Sequence, residues 1–180
     1  MSLVDAYRFC PYCGNPFGLP DRIGPRPSGL RCSQCKREIY FNSVPTVSAI
    51  IVRYCGAGWQ TLLGRRKVDP FPGDYSLPGG FVEEGEGAEC ALRREVREET
   101  GLEVLQHELL GIGVEVYPYQ GVARWCFSAN YLVTETRGIP QAASDVAELV
   151  WFSFDALPAN LPFGDNRAGL ELARRRLLRG

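Results

Sequence analysis

The chain predicts an α+β sandwich, a mixed sheet held between helices, with a small cysteine-bearing ribbon in front of it. Three observations predict this. From Thr46 onward, apolar and β-branched runs alternate with turns rich in Gly and Pro. Two helical patterns, over residues 87–100 and 165–179, fall among and after those runs, which is the order of an α+β domain. Before them the sequence is Pro- and Gly-rich and carries four cysteines in two pairs. A length of 180 residues suits one full domain with a small appendage. The expected division is 1–41 for the ribbon and 42–180 for the domain.

The ribbon comes first. Cys10 and Cys13 are two residues apart, as are Cys32 and Cys35, and eighteen residues separate the pairs. Four thiolates at this spacing are what a tetrahedral zinc needs from a short segment. Gly14, just after the second cysteine, suits the tight turn of a zinc knuckle. Residues 15–29 are too rich in Pro and Gly to build a core, so the metal supplies the folding energy there. A redox CxxC pair is the alternative, and four paired cysteines argue against it. A purely structural zinc is favoured; a docking role remains open. The basic cluster Arg31, Lys36 and Arg37 reads as a solvated edge.

Residues 42–45 read as a linker. Residues 46–54 form a strand, 55–58 a turn, and 59–66 a strand that pairs back. Residues 68–78 hold three prolines and a glycine and form a loop. A short strand surrounds Phe81 and Val82, and a helix follows. Residues 103–117, 124–135 and 149–154 are strands. The last helix carries Leu170, Leu172, Ala173, Leu177 and Leu178 on its apolar side. Its C-terminal Arg174, Arg175, Arg176 and Arg179 complement the negative end of the helix dipole.

The helix at 87–100 is built for chemistry. Gly79, Gly80 and Gly85 break any helix before it, and Gly101 stands where a left-handed C-cap is wanted. At roughly 100° per residue, Glu95, Glu98 and Glu99 share about a quarter to a third of the circumference. Ala88 and Ala91 on that face leave room for a ligand, and Arg93, Arg94 and Arg97 lie mostly opposite. Like charges at such spacings cost an isolated helix roughly 0.2–0.5 kcal/mol per pair. A hard divalent cation removes that repulsion and takes oxygen ligands.

From Gly80 to Leu102 the sequence reads GFVEEGEGAECALRREVREETGL. Gly80, Glu86, Arg94-Glu95-Val96, Glu98-Glu99 and Gly101-Leu102 fill every fixed position of the Nudix box. The segment resembles the Nudix hydrolase superfamily, and the likeness extends over about residues 44–180. It implies a Nudix fold and a metal-dependent hydrolase that cleaves a diphosphate linked to another group. It implies magnesium or manganese held by Glu95, Glu98 and Glu99, with the Gly79 carbonyl completing the coordination. Glu86 and Arg94 match a structural ion pair. Glu148 matches a region where many such enzymes supply a further carboxylate, which makes it a candidate catalytic residue beside the box glutamates. Arg65 and Arg66, at the end of a strand, either grip phosphate or are surface charges. Tyr117, Tyr119 and Trp125 either stack on a flat base or pack as core.

A ribbon before a Nudix domain resembles two groups. The NADH pyrophosphatases carry an SQPWPFPxS motif, where this chain reads Val116-Tyr117-Pro118-Tyr119-Gln120-Gly121. They also have an extra N-terminal domain. The short ribbon–Nudix proteins that resemble plant FAD and ADP-ribose pyrophosphatases match better in length and order. The expected activity is hydrolysis of FAD or ADP-ribose to a nucleoside monophosphate and a second phosphate product. NADH cleavage, or a non-catalytic nucleotide sensor that docks through the ribbon, is the alternative.

Composition excludes other classes. The formal net charge is -1, and no basic run supports bulk nucleic-acid binding. No apolar stretch approaches the ~18 residues of a membrane span, and the first residues lack a signal peptide's pattern. Seven cysteines, an odd number without secretion signals, argue against a disulfide framework. A cytoplasmic protein is expected, with a nucleotide derivative as ligand and a homodimer as a family habit. No Ser-His-Asp arrangement exists, because His107 is the single histidine; it reads as a satisfied strand residue.

Overall fold

The chain divides into two compact units, residues 1–44 with 116–125, and residues 45–115 with 126–180. The computed structural model describes residues 2–18, 21–23 and 29–179. In the first unit a short helix α1 (Leu3–Ala6) is capped by Ser2, whose Oγ accepts the Asp5 N–H at 3.3 Å. Strands β1 (Arg22–Ile23), β2 (Gly29–Arg31) and β3 (Glu38–Tyr40) make a three-stranded antiparallel sheet in that order. Among the described residues its buried apolar side chains are Val4, Cys10, Leu30 and Cys32. Of the Pro- and Gly-rich stretch 15–29, residues 19–20 and 24–28 lie outside the described residues. Within the rest, the buried Asp21 accepts the N–H groups of Gly18 at 2.7 Å and Ser33 at 3.1 Å.

The second unit is built on strand β4 (Val44–Tyr54). Its side chains alternate between two cores, as the pleat dictates. Val47, Ala49 and Ile51 pack with Ala91, Leu92 and Val96 of helix α2 (Ala88–Thr100). Ile50 and Val52 pack with Leu170 and Ala173 of helix α3 (Gly164–Leu177). The helices therefore cover opposite faces of one sheet. With β5 (Trp59–Arg66), β6 (Tyr75–Ser76), β7 (Gly79–Phe81), β8 (Glu103–Tyr119), β9 (Val122–Arg137) and β10 (Val146–Ser153), the sheet has seven strands. Its order is β10-β5-β4-β9-β8, with β6 on β5 and β7 on β4. This is the mixed-sheet sandwich that the sequence predicts.

Several boundaries differ from the sequence reading. Residues 42–45 are not all linker: β4 starts at Val44, because the Pro45 carbonyl accepts the Val82 N–H at 3.0 Å and a proline lacks only its donor. The loop at 68–78 contains β6, paired to Gly64 and Arg65. Strands β8 and β9 run longer than expected, because a two-residue turn joins them. Gln120 and Gly121 have φ of 49° and 77°, both positive as a type I′ hairpin turn requires.

Candidate active site

The box begins where two glycines pass beneath α2. Thr46, Val47 and Ser48 of β4 pair with Phe81, Gly80 and Gly79 of β7. Gly79 has φ of +147°, and a Cβ there would lie 2.1 Å from the Val47 carbonyl oxygen. A Cβ on Gly80 would lie 2.5–2.8 Å from the Glu95 carboxylate. Only glycine lets the backbone come this close to the helix. At the far end, Gly101 has φ of 69° and donates its N–H to Arg97 at 2.9 Å, closing α2 with a left-handed cap.

Arg94 ties the intervening loop to the helix. It donates to both oxygens of Glu86, from Nε at 3.0 Å and Nη2 at 2.9 Å, in a bidentate pair. It also donates to the Phe81 carbonyl at 2.9 Å, to Glu95 at 2.8 Å and to Glu98 at 3.4 Å. The bonds from Arg94 hold the Glu86 carboxyl below its ordinary pKa.

The three box glutamates differ in setting. Glu98 is about half exposed, whereas Glu95 is mostly covered. Burial raises the proton affinity of Glu95, and Arg94 opposes it. Glu99 accepts the Gly79 N–H at 2.9 Å. Burial pushes its carboxyl up to about 8; Glu95 and Asp145 add to the rise, and the Gly79 N–H and Arg66 oppose it. Three carboxylates on one face, beside a backbone that approaches without side chains, are the donor set of a hard divalent cation. Their oxygens are nonetheless spread. Among the described residues, only the four cysteines form a set of three or more ligating groups within 4.8 Å of one another.

The remaining candidates lie apart from the box glutamates, except Arg66, whose charge reaches Glu99. Glu148 accepts from Arg65 Nε at 2.9 Å and from the Tyr75 hydroxyl at 3.0 Å. By strand alternation it shares the sheet face of Phe152, which packs in the core with α3. That face is opposite to α2, so the structure pairs Glu148 with Arg65 rather than gathering it with the box glutamates. Arg66 donates to the Pro70 carbonyl at 2.6 Å and lies over the Phe163 ring. Tyr117, Tyr119 and Trp125 belong to the other compact unit. His107 sits beside Glu89 and Arg93 and packs edge-on against Tyr131. Tyr75 was not singled out from sequence; a tyrosine in a Pro-rich loop carries no signal of its partner 73 residues away.

In the ribbon, Cys10 and Cys35 Sγ atoms are 3.7 Å apart, and those of Cys13 and Cys32 are 3.6 Å apart. A tetrahedron with Zn–S bonds of about 2.3 Å has edges of about 3.8 Å, so the four thiols fit zinc. Each pair sits in the same turn: the Gly14 N–H donates to the Cys10 carbonyl at 2.8 Å and the Lys36 N–H to that of Cys32 at 2.9 Å. The Cys35 and Gln34 N–H groups lower the Cys32 thiol, while the neighbouring thiols raise that of Cys13, so the two share one proton between them.

The NUDIX domain family matches residues 44–172, most of the chain, with the box glutamates inside the match and the four cysteines outside it. The chain belongs to the Nudix family. Its sequence is 35% identical over 175 residues to the NAD-capped RNA hydrolase NudC of Pseudomonas aeruginosa, covering 93% of this chain and 56% of that one. It is 34% identical over 123 residues to the ADP-ribose pyrophosphatase of Methanocaldococcus jannaschii, covering 68% and 69%. The chain spans about half the length of the first NudC relatives it matches. Among solved structures, a MutT Nudix hydrolase from Burkholderia pseudomallei superposes with a TM-score of 0.64 at 30% identity, over 73% of this chain and 98% of that one. A Nudix hydrolase from Nitrosomonas europaea covers 94% and 93% with a TM-score of 0.60; at 23% identity it attests the fold alone. No helix among the described residues is long and apolar enough to cross a membrane.

Proposed function

We propose that this Nudix-family chain is a hydrolase that cleaves the diphosphate of a nucleoside diphosphate derivative of the FAD or ADP-ribose type. The products are a nucleoside monophosphate and a second phosphate compound. The observation that carries the reading is the packing of the Glu95 carboxylate on Gly80 and of the Glu99 carboxylate on the Gly79 N–H. Glu95, Glu98, Glu99 and the Gly79 carbonyl would hold magnesium or manganese. When bound, such ions neutralise the diphosphate oxygens and acidify a water. The chain's own residues do the rest. Arg94 and Glu86 lock the loop so that the glutamates face one way. A box glutamate takes the proton as the water oxygen bonds to phosphorus and the bridging P–O bond breaks. The bridging oxygen leaves on the second phosphate. Arg65 and Arg66 are assigned to the substrate side; Glu148, which Arg65 and Tyr75 hold on the sheet face away from α2, is assigned to orienting Arg65 rather than to taking the proton.

Similarity to an ADP-ribose pyrophosphatase supports ADP-ribose. A second reading, a NADH-type substrate, is favoured by the similarity to NudC. The SQPWPFPxS motif is absent at 114–122, which favours the first. Zinc on the four cysteines is assigned a structural role, and the protein a cytoplasmic location. Magnesium-dependent turnover across FAD, ADP-ribose, NADH and diadenosine compounds tests the assignment. Tenfold or greater preference for NADH in kcat/KM would overturn the substrate choice.

A further inference from the structure

The segment that delivers Gly79 to α2 is held from the other side of the sheet. Its backbone groups find partners on three different elements. The Gly79 N–H goes to Glu99 of α2 at 2.9 Å, and the Pro78 carbonyl accepts from Ala49 of β4 at 2.8 Å. The Leu77 N–H goes to the side-chain Oδ1 of Asn166, in the first turn of α3, at 3.0 Å. That last bond spans 89 residues and is buried, with Asn166 only 6% exposed and Leu77 5%.

Asn166 is itself fixed. Its Nδ2 donates to Asp165 Oδ1 at 3.3 Å. Asp165 is hydrogen-bonded to Ser128, whose Oγ lies 3.2 Å from that of Ser48. Ser48 is the β4 residue that pairs with Gly79. Glu115 of β8 accepts the N–H groups of Gly164 at 2.5 Å and Asp165 at 3.1 Å, which pins the start of α3. The chain of bonds therefore starts and ends on the Leu77–Gly79 segment. A buried amide oxygen with one backbone partner is a positional constraint, because losing it leaves the Leu77 N–H unpaired.

We propose that Asn166 is a positioning residue for the hydrolytic site: its hydrogen bond to the Leu77 N–H fixes where Gly79 meets Glu99 and the cation. The inference rests on the reading of Glu99 and Gly79 as metal-site residues. It assigns to α3, on the sheet face away from the box helix, a part in building the metal site.

The test is Mn2+ binding followed by electron paramagnetic resonance on the full chain, for Asn166→Leu, the double variant Asp165→Asn with Asn166→Asp, and Glu99→Gln. Asn166→Leu keeps the branched shape at a larger volume and removes the acceptor. It is expected to weaken Mn2+ binding by about 10-fold or more, the scale for groups that orient a metal ligand. Asn166→Asp, made together with Asp165→Asn so that a donor still joins the two side chains, keeps the acceptor oxygen and is expected to stay within about threefold of the parent protein. Amide exchange at Leu77 and Gly79 should quicken in Asn166→Leu and not in the double variant. If Asn166→Leu lowers only Tm, with Mn2+ affinity unchanged while Glu99→Gln loses it, the positioning role is overturned and the metal-site reading stands. If Glu99→Gln leaves Mn2+ binding intact, the metal-site reading falls and this inference falls with it. If Asn166→Leu does not fold, the double variant decides alone. A loss of Mn2+ affinity equal to that of Glu99→Gln in the folded double variant would contradict the role of the acceptor oxygen.

Discussion

Glu99 is the residue on which the chemistry converges. Its carboxyl is pushed up to about 8 by burial, so a proton and a cation compete for it near neutral pH. Metal affinity should therefore rise as pH increases from 6 to 8, by at most about tenfold per unit, as calorimetric titration with magnesium would read. Stability of the metal-free protein runs the other way. The folded value lies above the ordinary carboxylate value, so the contribution is full below about 4.5 and is lost as pH climbs towards 8. Glu99→Gln removes that loss. The metal-free variant should melt above the parent at pH 8, with the gap closing towards pH 4.5. In turnover the same variant should fall by a factor of about 10² or more. Glu89→Gln, whose side chain lies beside His107, should change kcat little. Equal kcat for Glu99→Gln and the parent at saturating magnesium would remove Glu99 from the site.

Elements explain what could be read in advance. Helix α2 was legible because its signals are local: glycines at both ends and Glu and Arg at fixed offsets; the room for a ligand read into Ala88 and Ala91 is not there, because Ala91 is fully buried in the core against β4 and Ala88 packs beside it. The cysteine pairs were legible for the same reason, since each lies within a single turn. Contacts across long sequence separations left no such mark. Glu148 lies on a recognisable strand, but its pairing with Arg65 and Tyr75 depends on register, including the irregularity between Val146 and Glu148. Asn166 looked like any first-turn helix residue until Leu77 was found against it. The Gln120-Gly121 turn was missed because Gln is not a usual residue for the first left-handed position. Two predictions belong to this scale. Leu92, fully buried between α2 and the sheet, should cost roughly 2–5 kcal/mol when changed to Ala; chemical denaturation would measure it. The ribbon should hold about one zinc per chain. Elemental analysis below a tenth of an equivalent would contradict the thiolate site. Cys32→Ser should unfold the ribbon while magnesium-dependent turnover of the remaining folded domain persists.

At the scale of the whole molecule, the two units divide the charge. Residues 1–44 with 116–125 carry seven Lys and Arg against three Asp and Glu, a formal +4 before any metal binds the thiols. The remainder carries thirteen against eighteen, a formal −5. The acidic excess includes the carboxylates assigned to divalent cations, so magnesium should stabilise this unit in proportion to its binding. The central claim is that water attacks a phosphorus of a diphosphate, directed by the box glutamates. Hydrolysis of FAD and ADP-ribose in heavy-oxygen water, with magnesium present and the products weighed by mass spectrometry, tests it most directly. The account predicts one heavy oxygen in a phosphate group of one monophosphate product, and none of that product with Glu99→Gln. Label confined to a carbon-linked hydroxyl, or equal labelling with the variant, would contradict it.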